Sequence, residues 1–191
     1  LKEKGVRMSD APLARTPKQA EEGCLTVMVG ASDALFAELK PVIECFAENI
    51  THVGPLGAGH QIKLIYNFIA LGNASVVAEA VTMASKVGVD LNHLSALVSN
   101  GGANSNIFQM IMPWVLEGDI SNMQFAIRNA AKDLRYFAQM SQDAKMASPV
   151  SPAVLSAFSL AEAMGNGDEF VPKLCDVIAD INKVDVHKSR K

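Results

Sequence analysis

The sequence predicts a mostly α-helical protein that opens with a piece of α/β sheet, residues 1–54, and passes through one long helix into an all-α domain, residues 55–191. Three observations carry this reading. Short apolar runs alternate with a helical pattern over the first 54 residues. Strand signals stop from residue 59 onward, and the most apolar stretch, 61–87, reads as one buried core helix.

Taken in order, Val6 to Ser9 is a short strand candidate ending at Asp10-Ala11-Pro12. Thr16 caps one or two helical turns, with Pro17 at the first helical position, acids following and Gly23 at the stop. Leu25 to Val29 is a strand ended by Gly30. Ser32 then caps a helix whose Leu35, Phe36, Leu39, Val42, Ile43 and Phe46 follow helical spacing, while Pro41 predicts a kink or break. Ile50 to Val53 is the last short strand before Gly54-Pro55. Strand, helix, strand is too little to close a core alone. The long helix, about 59–87, would run roughly 40 Å at 1.5 Å per residue. Further helices are predicted at 91–99, 104–117, 123–146, 150–165 and 168–183. Turn chemistry at Gly88, Gly101-Gly102, Gly118, Ser148-Pro149 and Gly165-Asn166-Gly167 separates them.

Of 191 residues, 49% are hydrophobic and 19% charged, and the net charge is −3, which predicts a folded, slightly acidic, soluble protein. Phosphate recognition normally shows as a basic excess or stripe. The one basic cluster, His187-Lys188-Ser189-Arg190-Lys191, reads as a solvated end, so no nucleic-acid partner is expected. Cys24, Cys45 and Cys175 form no CxxC pair, and the four histidines show no ligand spacing, so no metal site and a reduced, cytoplasmic compartment are expected. No charged-then-apolar stretch stands at residues 1–20, so no secretory signal is expected. Lys63, Asn67, Asn73, Glu79 and Lys86 interrupt the apolar stretch more often than a bilayer-spanning helix would tolerate, so no membrane partner is expected either.

The strongest local feature is Gly57-Ala58-Gly59-His60-Gln61-Ile62-Lys63-Leu64-Ile65-Tyr66-Asn67. Glycines lead into a helix that sets Lys63 and Asn67 four residues apart, hence on one face. The helix dipole and an apolar neighbourhood both disfavour a charged lysine at a helix start, tuning Lys63 toward acid/base work. An amide one turn later can donate to an oxygen held beside the ammonium. The two groups suit a carbonyl being reduced to an alcohol, with Lys63 supplying the proton and Asn67 placing the oxygen. On spacing alone, a solvated Lys and a surface Asn account for the same pattern.

The stretch resembles the catalytic motif of the β-hydroxyacid dehydrogenase family, which includes 3-hydroxyisobutyrate dehydrogenases, tartronate semialdehyde reductases and 6-phosphogluconate dehydrogenases. Three further segments match that family in order: Asp10-Ala11-Pro12, the Gly23 to Gly30 strand, and Phe125 followed by Lys132-Asp133-Leu134. The resemblance covers nearly the whole chain. It implies that residues 1–54 are the C-terminal portion of a Rossmann dinucleotide-binding domain and that 55–191 are an all-α substrate and dimerisation domain like that of 6-phosphogluconate dehydrogenase. It also implies NAD or NADP as cofactor, Lys63 as catalytic acid/base, Asn67 as a ligand of the substrate oxygen and Lys132 over the cofactor near its nicotinamide end. For Lys132 the plainer reading is a surface charge paired with an acid, and Asp133 reads as orienting the local helices.

Departures from the family pattern shape the expectation. Where many relatives continue Asp-Ala-Pro with Val-Ser-Gly-Gly, this chain has Leu13-Ala14-Arg15-Thr16. A serine hydroxyl is lost and a guanidinium appears, so Ala14, Arg15 and Thr16 are expected at the substrate, with Arg15 selecting a small hydroxy acid or aldehyde with an anionic head. Pairing of Arg15 with Glu21 or Glu22 is the alternative. Tyr66 and Ala70 stand where 6-phosphogluconate dehydrogenases use His and Glu, which favours dehydrogenation without decarboxylation. No GxGxxG occurs in the chain. Together with the Leu1 start, this leads us to expect that the chain lacks an N-terminal segment and does not by itself bind NAD(P). A homodimer or higher homo-oligomer is expected, since Leu64, Ile65, Phe68, Leu71, Val76, Val77, Val81 and Met83 are more apolar surface than a short chain covers, with burial inside the monomer by the helices at 104–117 and 123–146 as the alternative. A non-enzymatic helical dimerisation module derived from such an enzyme is the second function class.

Overall fold

In the computed structural model, which describes residues 2–188, strands β1 (Leu13–Ala14), β2 (Leu25–Gly30) and β3 (Ala47–Gly54) form one sheet in the order β1-β2-β3. β1 runs antiparallel to β2, with Leu13 opposite Val27. β2 and β3 are parallel, with Val27 opposite Ile50, and a parallel pair requires a crossover. α2 (Asp33–Ile43) supplies it, its N-terminus capped by Ser32, whose hydroxyl accepts from Leu35 N at 3.4 Å. A short α1 (Pro17–Glu21) follows Thr16 as the capping signals predict. Val27, Val29, Ala31, Leu35, Ile43 and Ala47 form the core of this part.

Several expectations change here. Val6 to Ser9 forms no strand; only Asp10 bridges antiparallel to Gly30. Val6 and Met8 are exposed, and an alternating pattern makes a ladder only where neighbouring backbone is present to pair with it. β3 starts before Ile50, because Ala47 and Asn49 already pair with Leu25 and Thr26 although Glu48 and Asn49 are poor strand formers. Pro41 does not break α2, which runs on to Ile43, but Val42 and Phe46 stay exposed rather than joining its apolar face.

The helices are α3 (Ala58–Lys86), α4 (Leu91–Ser99), α5 (Asn106–Glu117), α6 (Ile127–Asp143), α7 (Ser151–Ala163) and α8 (Leu174–Ile181). Their shared core includes Leu71, Ile111, Ile127, Leu134, Phe158 and Leu174. α6 begins later than 123, and the 168–183 helix shrinks to a 3-10 turn, Val171–Lys173, followed by α8. The cause is local pairing. Ala126 and Phe170 form an antiparallel bridge, Ile127 N donates to Glu169 O and Val171 N to Phe125 O, so the backbone is extended at Ala126 and Phe170 and neither helix reaches its predicted start.

The chain divides into two compact units, Leu1–Tyr66 and Asn67–Lys191, with the division falling inside α3. By length and composition α3 could cross a bilayer. It nevertheless buries Leu71, Ala74, Val77, Ala78 and Val81 in the helical core, so Leu71, Val77 and Val81, expected to need a partner chain, are covered by the chain's own helices. Ile69, Val76 and Met83, seven residues apart, are 60%, 68% and 60% exposed. His187 departs from the solvated end expected of it: it is half-buried, with Nε2 2.6 Å from Asp176 and its ring edge-on to Trp114. Its neighbour Lys188 is exposed, and Ser189 to Lys191 lie outside the described residues.

Lys145 follows the C-cap Ala144 of α6 with φ +52, a left-handed position that favours glycine. Lys145→Gly is expected to stabilise the chain by about 1 kcal/mol. Thermal unfolding should show a melting temperature raised by about 2–4 °C, with no gain for Lys145→Ala.

Candidate active site

The turn into α3 is made by Gly57, whose φ of +97 admits few other residues. Lys63 is half-buried in the second turn of the helix, with its ammonium 5.5 Å from the centroid of the Tyr66 ring. Asn67 follows one helical turn later, so the two predicted side chains do share a face of one continuous helix.

Asn67 is only 6% exposed, and its amide must therefore be satisfied by protein. Its Nδ2 donates to Asp133 Oδ2 at 2.6 Å, and Asp133 Oδ1 lies 3.2 Å from Lys132 Nζ. An ionised carboxylate only accepts, so the amide nitrogen faces Asp133 and the carbonyl Oδ1 is turned away from it. Asn67 thus keeps an acceptor and one N–H beyond the Asp133 contact, rather than the donor alone that spacing implied. The stacked rings of Phe68 and Phe137, 4.1 Å between centroids, pack α3 against α6 beside this contact. Sequence reasoning left Asp133 out of the candidate site. The only signal available was its place next to Lys132, because its partner Asn67 is 66 residues away.

A second group lies around the loop after Pro12. Ala14 ends β1, and Arg15 adopts φ +89, unusual for a residue with a Cβ. Arg15 Nη1 donates to Cys24 O and to Glu48 Oε2, both at 2.7 Å. The acid is therefore Glu48 of β3, not Glu21 or Glu22. Thr16 turns inward on its own helix, its N–H and its hydroxyl both donating to Gln19 Oε1 at 3.1 Å. Among the described residues no group of three or more His, Cys, Asp or Glu could hold a metal ion. Burial pushes the Cys175 thiol up, so that cysteine stays protonated and unreactive.

Residues 57–176 match the family model described as NAD-binding of NADP-dependent 3-hydroxyisobutyrate dehydrogenase. The chain belongs to the β-hydroxyacid dehydrogenase family. Residues 1–54 match a second model of that family, the NAD-binding domain of 6-phosphogluconate dehydrogenase. Among relatives, a 2-(hydroxymethyl)glutarate dehydrogenase of Eubacterium barkeri is 30% identical over 96% of this chain and 61% of its own length. An L-threonate dehydrogenase of Escherichia coli O6:H1 is 31% identical over 86% of this chain and 55% of its own length. The crystal structure of a 3-hydroxyisobutyrate dehydrogenase from Salmonella typhimurium superposes with a TM-score of 0.79 at 29% identity, covering 90% of this chain and 60% of that one. The chain thus spans little more than half the length of the curated relatives it matches. The mostly α fold with a small α/β part is that of this family.

Removing either partner of the Asn67–Asp133 contact is expected to destabilise the chain. Asp133→Ala leaves a buried amide donor unmet and should cost about 1–3 kcal/mol. In urea unfolding, the Asn67→Ala/Asp133→Ala pair should lose less than the sum of the single variants, by about 0.5–3 kcal/mol. Simple additivity would show that the contact does not form.

Proposed function

We propose that the whole protein is an NAD(P)-dependent oxidoreductase acting on the CH–OH group of a small β-hydroxy acid or on its semialdehyde. The observation that carries this is the helix face of α3, where Lys63 stands one turn before a buried Asn67 whose amide is fixed by Asp133. The reading also rests on membership of a family whose relatives bear the names of hydroxy-acid dehydrogenases. Lys63 gives a proton to, or takes one from, the substrate oxygen, and Asn67 holds that oxygen in place. Asp133 keeps the Asn67 amide in one orientation, so less reorganisation is needed as charge develops. The paired cation and anion of Lys132 and Asp133 suit a carboxamide, which has both a donor and an acceptor, so this pair fits the ring end of a nicotinamide cofactor. When bound, NAD or NADP supplies or accepts the hydride.

Ala14, Arg15 and Thr16 form the substrate side of the reading, with Arg15 facing the anionic head of the hydroxy acid or aldehyde. That role requires the anion to share or replace Glu48 as its partner. The exposed Ile69, Val76 and Met83 support a homodimer or higher homo-oligomer. The same stripe favours the second reading, a non-enzymatic helical dimerisation module. The reading further places the protein in the cytoplasm, with no nucleic-acid or membrane partner.

Steady-state kinetics of the whole protein test the enzyme reading. Lys63→Ala should lower kcat by about 10²–10⁴-fold, and Lys63→Arg should not restore it. Arg15→Ala should raise KM for anionic substrates about tenfold or more at similar kcat, the loss of a charge-assisted contact. An enzyme indifferent to Lys63 would sink the assignment, and an unchanged KM would remove Arg15 from the substrate site. Sedimentation velocity of the 191-residue chain tests association: dimer is expected, and a monomer at high concentration counts against it. An associating protein that lacks dehydrogenase activity would favour the second reading.

A further inference from the structure

Asp10 is 7% exposed, and burial alone would penalise its charge. Desolvation pushes its pKa up, but hydrogen bonds from the Gly57 and His60 backbones, joined by the His60 charge and the Asp10 N–H, together hold the carboxyl below the ordinary aspartate value. Oδ1 accepts from Gly57 N at 2.6 Å, and Oδ2 accepts from His60 N at 2.7 Å with the His60 ring Nδ1 at 3.2 Å. Since α3 starts at Ala58, Gly57 is its N-cap and His60 its third residue. Those are the two donors that a capping box satisfies locally with side chains three residues apart. Gly57 has no side chain to cap with, and His60 is no Glu or Gln. One carboxylate, 47 and 50 residues earlier in sequence, does both jobs.

The seat is cut to fit that carboxylate. A Cβ on Gly30 would lie 2.2 Å from Asp10 Oδ1 and 2.8 Å from Pro55 O. One on Gly59 would lie 2.4 Å from Met28 O and 2.8 Å from Asp10 Oδ2. The Asp10 backbone is fixed as well, donating to Gly30 O at 3.1 Å and accepting from Gly30 N at 2.8 Å. The glycines before Lys63 therefore serve a protein carboxylate, and Lys63 lies three residues beyond His60 on the helix so held.

We infer that Asp10 is a positioning residue: its carboxylate fixes the first turn of α3, and with it Lys63, in register with the loop carrying Ala14, Arg15 and Thr16. This rests on the reading of Lys63 given above. Asp10 touches no reacting atom in it. A lysine displaced by about 1 Å can cost on the order of 10²-fold in rate, so the effect falls on kcat.

The test is chemical rescue in the whole enzyme. Asp10→Ala should lower kcat by about 10²-fold, with KM for the cofactor within about twofold. Formate, small enough to occupy the vacated seat between the two N–H donors, should restore kcat saturably, whereas neutral formamide should not. His60→Ala keeps the backbone donor and should stay within about threefold of wild type. Should Asp10→Ala fail to fold, Asp10→Asn decides: it keeps the volume, turns one acceptor into a donor, and should show the same fall in kcat with little change in KM. Either variant folded with near wild-type kcat, a folded Asp10→Ala that formate cannot rescue, or an equal loss in His60→Ala would overturn the inference. A wild-type enzyme without dehydrogenase activity would instead fail the reading of Lys63. In that case the 191-residue chain still decides the positioning. Amide hydrogen exchange at Gln61 to Lys63 should speed up about tenfold or more in Asp10→Asn, with Ala78 unchanged, and unchanged exchange at those residues would refute the positioning.

Discussion

A single buried carboxylate settles how the N-terminal unit is joined to its own long helix. Asp10 cannot give up its charge cheaply while two backbone donors point at it, and those donors cannot be satisfied by their own residues. The end of β2 and the first turn of α3 therefore meet at one residue, the first through its backbone and the second through its carboxylate. Capping from a distance carries more information than capping within a helix. A local cap only starts a helix, whereas this one also states which loop must lie beside that start.

Asn67 shows the same logic in the helical unit. A buried amide has two faces of opposite character, and nothing in its own helix chooses between them. The carboxylate of Asp133 makes the choice, and the Phe68–Phe137 stack holds the two helices at the separation this needs. Lys132 shares that carboxylate, so one acid sets both the orientation of an amide and the place of a cation. Networks of this kind are costly when half satisfied, which ties the polar groups to the packing around them.

How much of this is legible in the sequence follows from the range of each interaction. Ser32, Pro17 and the spacing of Lys63 and Asn67 act within one turn, and they appear in the structure where the sequence puts them. Family motifs extend that reading to the mostly α fold and the small sheet. What escapes are pairings between residues distant in sequence. Arg15 finds Glu48 on a neighbouring strand rather than the acids just after it, because chain proximity does not determine which strand lies alongside. Residues 168–170 stay out of the helix their pattern predicts, because Phe125 to Ile127 offer that stretch backbone partners. Asp10 and Asp133 are the clearest cases, since each is an ordinary acid until its distant donors are known.

The close seats at Gly30 and Gly59 bear on how this part of the chain can change over evolutionary time. At most positions, replacements are ranked by size, polarity or branching, and neighbours can drift one at a time to compensate. Here the obstruction lies at the first side-chain atom, which every other amino acid shares, and it is met in part by backbone oxygens that cannot be exchanged. Substitution at these two sites is therefore all or none, insensitive to the chemistry of the newcomer. They would stand out among homologues as positions without a gradient of tolerated residues, for a reason that lies wholly in packing.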